Sequence, residues 1–213
     1  MKTIIFFKFL ILLFLSSQNL QANIYNSILI KVGDNIITSY ELKNKIRYLI
    51  TTAKKEFKQD EINIAKPIAI KSLISKKIKE NELKKYNVKG FNKDDLQKTL
   101  LNTAKFFQTD VNNLENILSK NNIDYEILKK EIIIDLQWNT LIYSMFKNQL
   151  EIDIYEIEQE VNKVLRASSD LEKLNIDEIK KEIINNKKNE KLQLFSRSHF
   201  FNVENKTLIK FNE

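Results

Sequence analysis

A mainly α fold with a small antiparallel β-sheet is predicted from three observations. The 213 residues include two glycines and one proline, too few for the tight turns that sandwiches, barrels and glycine-cradled phosphate sites need. Apolar residues recur at three- and four-residue spacing through most of the chain, the period of amphipathic helices. Strand-like runs are confined to Ile28–Thr38 and Thr207–Phe211.

The N-terminal stretch Met1–Ala22 has Lys2, an apolar run from Ile4 to Leu15 broken only by Lys8, and a polar exit at Ser16-Ser17-Gln18. This is the layout of a signal peptide. The run falls well short of the about 20 residues of a membrane-spanning helix, and the small Ala22 places cleavage between Ala22 and Asn23. Without a cysteine there is nothing to acylate in a lipoprotein, and disulfides, thiolate chemistry and cysteine-zinc sites are excluded. Residues 23–213 suffice for a sizeable core. They hold no second segment of membrane-spanning length, so no stable membrane insertion is expected.

The formal charge of +7 falls to +5 once Lys2 and Lys8 are removed, and the surplus is spread along the chain. With no arginine-rich stripe, a nucleic-acid partner is not expected.

The first strands are Ile28–Val32 and Asn35–Thr38, joined by Gly33-Asp34 as a hairpin. Thr38 with Glu41 forms a capping box, and Leu42, Ile46, Leu49 and Ile50 then follow at helical spacing. Pro67 suits a helix start, and Ile68, Ile70, Leu73, Ile74, Ile78 and Leu83 carry the stripe to about Tyr86, with Asn87–Gly90 as the stop. Asn92 caps the next helix, bearing Leu96, Leu100, Leu101, Ala104 and Phe107. Thr109 caps a shorter one with Leu114, Ile117 and Leu118. A long helix from Asp124 is apolar on more than one face, through Ile127, Leu128, Ile132, Ile133, Leu136, Leu141, Ile142 and Phe146. Within Leu150–Leu165 a short extended piece enters another helix. Arg166–Lys173 lacks periodicity and reads as a linker before a final helix from about Asn175, and Thr207–Phe211 reads as a last strand that could pair with the hairpin.

Catalytic constellations are not recognisable. His199, the single histidine, cannot alone supply the several ligands zinc needs and reads as structural or surface. The acidic pairs Glu158/Glu160 and Asp94/Asp95 fit solvated helix faces. No catalytic, metal or cofactor-binding residues are assigned, and no cofactor is expected. The aromatic and sulfur side chains around the middle helices include Trp138. Phe106, Phe107, Tyr143, Met145 and Phe146 are the candidate peptide-binding residues, lining a groove for apolar segments.

Ile30-Lys31-Val32-Gly33-Asp34-Asn35-Ile36-Ile37-Thr38-Ser39-Tyr40-Glu41-Leu42 resembles the start of the SurA family of periplasmic chaperones. Ala69–Leu83 is similar to that family's second helix, Lys130–Ile154 to its long helix and exit, and Ile183–Leu192 with Leu208-Ile209-Lys210 to its core-completing C-terminal segment. The resemblance implies a helical chaperone region over 23–165, a linker at 166–173 where the family carries parvulin-type prolyl isomerase domains, and a completing helix and strand over 174–213. It implies an ATP-independent periplasmic chaperone, without isomerase activity, that binds unfolded outer-membrane β-barrel proteins or aromatic-rich peptides and aids their delivery, with the barrel assembly machinery as a further partner. The alternative is a non-catalytic periplasmic adaptor or assembly subunit with one dedicated partner.

Overall fold

A computed structural model describes residues 26–167 and 175–212. The expected signal peptide and the expected cleavage between Ala22 and Asn23 lie outside the described residues, as does most of the expected linker. The chain runs through β1 (Ile28–Val32), β2 (Asn35–Thr38), α1 (Ser39–Thr52), α2 (Gln59–Lys85), α3 (Lys93–Phe106), α4 (Val111–Lys120) and α5 (Tyr125–Phe146). After a short 3-10 turn at Lys147–Gln149 come α6 (Ile154–Ala167), α7 (Ile176–Glu204) and β3 (Ile209–Phe211). The fold is mainly α with a small antiparallel sheet, as the sequence predicts.

The sheet has the order β2-β1-β3. Its centre is β1, with Lys31 opposite Ile36 on one side and Lys210 on the other. Alternation turns Ile30 and Val32 into the core and Lys31 outward. Gly33 has φ +57°, and a Cβ there would lie 2.6 Å from the Asn81 amide nitrogen. That amide donates to the Val32 carbonyl at 2.8 Å, and the Asn81 oxygen accepts from Asn35 at 2.8 Å. The glycine therefore lets α2 hold the hairpin end.

The Thr38–Glu41 capping box forms, and the Glu41 carboxylate also accepts from Lys77 on α2 at 2.7 Å. A local helix-start device thus doubles as a tertiary contact.

Helix α2 begins two turns earlier than Pro67 suggests. The proline lies inside the helix, where it removes the bond to the carbonyl four residues back, that of Asn63. Asn63 and Pro67 both face solvent, so water can satisfy the freed carbonyl. Half-buried Ile62 and buried Ala65 pack with the sheet and α1, and this burial outweighs the local penalty. The cap of α4 is Asp110, whose carboxylate accepts from Asn113 N–H at 3.0 Å. Thr109 instead closes α3, donating its N–H to Ala104 O at 2.9 Å. Helix α6 takes in Arg166 and Ala167, which the sequence reading assigns to the linker.

Helices α1 to α4 each end in a left-handed residue that is not glycine. Lys54, Asn87, Gln108 and Asn122 adopt positive φ of 51–55°. After each, the next amide reaches the carbonyl five residues back: Lys55 to Ile50, Val88 to Leu83, Thr109 to Ala104 and Ile123 to Leu118. These are Schellman closures. Asparagine tolerates the left-handed region; lysine and glutamine do so at a cost of about 1 kcal/mol.

The core falls into three clusters. The first joins the sheet, α1 and α2 and receives Phe200, Val203 and Ile209 from the end of the chain. The second gathers α3, α4 and the start of α5. The third surrounds Trp138, with Leu83, Ile134, Leu141 and Ile142, and receives Leu192, Phe195 and Phe200 from α7. Between α1 and α5 lies a buried ion pair, Lys45–Glu131 at 2.5 Å.

Lys54→Gly and Gln108→Gly are each expected to raise unfolding stability by about 0.5–1 kcal/mol by relieving the left-handed backbone, with a smaller gain for Asn87→Gly. Urea denaturation checks this; equal or lower midpoints for both variants would contradict the Schellman assignment.

Candidate functional site

Helix α7 crosses the body with one face of its C-terminal half. Phe195, Ser196, His199 and Phe200 recur at one- and four-residue spacing and so lie on one side of the helix. Phe195 stacks on Phe146 with ring centroids 4.6 Å apart and 9° between planes. Ser196 Oγ accepts from the Trp138 indole N–H at 2.8 Å, and Phe200 meets the Trp138 ring edge-on. Trp138 is 1% exposed, so its single donor needs that partner.

His199 sits between the Trp138 and Phe146 rings, at centroid distances of 5.5 and 6.4 Å. Its Nε2 is 3.1 Å from the buried carboxylate of Glu82 on α2. His199 does more than fill space: it joins α7 to α2 by a polar contact inside an aromatic seam. Glu158, Asp94 and Asp95 are exposed and Glu160 is partly so; no three His, Asp or Glu side chains among the described residues converge to hold a metal ion.

Below this seam α2 is clamped to α5 by charge. Lys76 pairs with Asp135 and also donates to the Glu131 carbonyl, and Lys79 meets Asp135 at 2.8 Å. Burial pushes the Asp135 carboxyl up, but Lys76 and Lys79 more than reverse this and hold it below its ordinary range. Glu80 behaves alike: burial raises it, and the bond and charge of Lys130, with Lys77 and Lys84, bring it down.

Where α7 ends, a cleft of about 1130 Å³ opens between the outer face of the sheet, the end of α2 and the end of α7. His199 and Glu82 contribute to its wall, with Tyr86, Val203 and Leu208 as apolar lining. Its cations are Lys31, Lys85, Lys206 and Lys210; its carboxylates are Asp34 and Glu82. Glu82 is occupied by His199 and Lys85.

The five candidate peptide-binding residues do not form one groove. Phe106 and Phe107 are in edge contact at 5.8 Å, and Phe107 packs beside Tyr48 on the cluster that contains Leu128. Phe146 lies 18 residues further along α5, about 27 Å of helix, and is taken up by Phe195. Tyr143 and Met145 are exposed near that far end. A further set of exposed apolar side chains lies elsewhere. Leu194, Phe201, Leu208 and Phe211 are 62, 61, 64 and 65% exposed, and all fall in the last segment of the chain. Leu194 and Phe201 are two turns apart on α7, on the side not used by the seam. Their spacing of seven was visible in the sequence, but which face would dock was not.

Beside them, β3 has one free edge among the described residues. Gly33 N–H bonds Leu208 O and Asn212 N–H bonds Leu29 O. Antiparallel alternation then points the backbone groups of Ile209 and Phe211 away from β1.

No family model and no curated protein matches this chain.

In a double-mutant cycle, Phe146→Leu and Phe195→Leu are expected to couple by about 0.5–1.5 kcal/mol; additive losses in denaturant melts would remove the seam's stacking component. The carboxyls of Asp135 and Glu80 should also shape the acid limb. Both are depressed in the fold below their ordinary 3.8 and 4.5, so their contribution is complete above about pH 5 and is lost as pH falls through the folded values. The pair Asp135→Asn with Glu80→Gln should therefore start less stable at pH 7 but lose less between pH 5 and 2, and an acid limb parallel to the unmodified chain's would contradict this.

Proposed function

We propose that this chain is an ATP-independent periplasmic chaperone that holds unfolded outer-membrane β-barrel proteins and aids their delivery. The observation that carries the reading is the run of exposed Leu194, Phe201, Leu208 and Phe211 on the segment that closes the core. Side chains of this size are commonly buried when a fold has room for them. Here the same segment half-buries Phe195, Phe200 and Ile209 against the core while leaving these four in water. Large apolar groups on a rigid frame, next to a free strand edge, suit an extended, aromatic-rich chain: side chains find apolar contacts and main-chain groups find Ile209 and Phe211.

The reading also draws on the resemblance to the SurA core in the opening hairpin, the second helix and the completing helix and strand. The signal-peptide layout of Met1–Ala22 supports export, and the same resemblance supplies the periplasm as its destination. Such a holdase needs no nucleotide, because binding and release are governed by the client's own folding.

An unfolded outer-membrane barrel protein diluted from urea should stay dispersed, by light scattering, with near-stoichiometric amounts of this chain and no ATP. Leu194→Ser with Phe201→Ser should lose at least half of that protection while keeping its helical circular dichroism, since neither side chain is in the core. Aggregation unaffected by the unmodified chain would end the chaperone reading. Full protection by the double variant would move the binding surface elsewhere.

A further inference from the structure

We propose that the cleft between the sheet, α2 and α7 binds an acidic, extended peptide segment, with Lys31, Lys206 and Lys210 receiving its carboxylates. The identity of the occupant as an unfolded chain rests on the chaperone reading; the preference for negative charge rests on the cleft alone.

The argument begins with an arrangement that works against stability. Lys31 and Lys210 are direct cross-strand partners, and their side chains share the outer face of the sheet. Like charges directly opposite one another destabilise a strand pair. A lysine on an edge strand such as β3 discourages strand-to-strand association, which accounts for Lys210. It does not account for Lys31, which is on the central strand. Lys206, two residues past α7, also lines the cleft. Among the described residues Lys31, Lys206 and Lys210 meet no carboxylate in an ion pair, whereas Lys85 is paired with Glu82. Three lysines outside any ion pair thus face one cavity, against Asp34 as the one carboxylate there not otherwise engaged, which leaves the cleft with an excess of positive charge.

The lining indicates a peptide rather than a small anion. About 1130 Å³ is far more than a phosphate or a single carboxylate fills. Tyr86, Val203 and Leu208 supply apolar contact between the charges, and Asn202 and Thr207 supply polar groups able to bond a main chain. Leu208 lies on the same side of the strand as Lys210, so the cleft sets an exposed apolar side chain beside its lysines.

The molecule carries its own reporter. Trp138 is the single tryptophan, and its ring centroid is 5.5 Å from that of His199, which lines the cleft. The test titrates the full mature chain with the blocked octapeptide Ac-EFETEFET-amide and with Ac-QFQTQFQT-amide. Trp138 emission and the anisotropy of dye-labelled peptides are the readouts. Three exposed ion pairs together correspond to about tenfold, so the glutamate peptide should bind about tenfold more tightly at low salt. That preference should shrink toward unity at 0.5 M salt. Lys31→Gln with Lys206→Gln and Lys210→Gln should abolish the preference and, by removing the like-charge pair, leave the melting midpoint unchanged or raised by about 1–2 °C.

Equal affinity for the two peptides, or a preference that survives in the triple variant, would overturn the proposal. So would binding to phosphatidylglycerol vesicles with no binding of the glutamate peptide, which would make the cleft a lipid site. The two readings fail separately. Suppression of barrel-protein aggregation without any charge preference ends the cleft proposal and leaves the chaperone reading standing. A charge preference without suppression does the reverse.

Discussion

The rest of the structure depends on the docking of α7 across α2 and α5. One helical face, Phe195, Ser196, His199 and Phe200, meets three aromatic or charged partners, Phe146, Trp138 and Glu82. Each is hard to satisfy in any other way. The Trp138 indole N–H is out of reach of solvent and needs Ser196, and the Glu82 carboxylate is buried and needs His199 together with Lys85. A buried donor or charge left alone costs more than its partnered form gains. The seam is therefore specific as well as apolar, and it fixes the rotation of α7 about its axis.

That rotation decides what the surface offers. With the Phe195–Phe200 face turned inward, Leu194 and Phe201 must point out. With Val203 and Ile209 drawn into the first cluster, β3 is delivered to the edge of β1. Lys210 is thereby brought opposite Lys31, and Leu208 to the cleft. The exposed apolar run, the free strand edge and the lysine-rich cleft are three consequences of one docking event. The α6–α7 pair continues away from this region, held by buried Ile157 and Val161 and by Lys187 with Glu156 at 2.6 Å.

Local chemistry was legible wherever a short spacing carries the physics. The hairpin turn at Gly33, the Thr38–Glu41 box, the cap at Asn92, the helix starts at Asp124 and Asn175 and the last strand all appear in the sequence and in the fold. The start of α2 was misread because Pro67 is a local signal, whereas burial of Ile62 and Ala65 is a tertiary one. Helix ends at Lys54 and Gln108 gave no warning, since glycine is the usual mark of a left-handed residue. The candidate site was less legible still. His199 and Glu82 are 117 residues apart, and no periodicity links them. Aromatics around the middle helices looked like one groove until α5, some 33 Å long at 22 residues, set them at opposite ends and gave Phe146 to Phe195.

The central claim is that the segment after α6 is an integral part of the folded body rather than an appendage. Native-state hydrogen exchange of residues 23–213 tests it most directly. The amides of α7 from Phe195 to Val203 should open with the same free energy as those of α5 around Trp138, both approaching the global unfolding value. Exchange through α7 that is orders of magnitude faster, with α5 still protected, would show that α7 detaches on its own and would contradict the account.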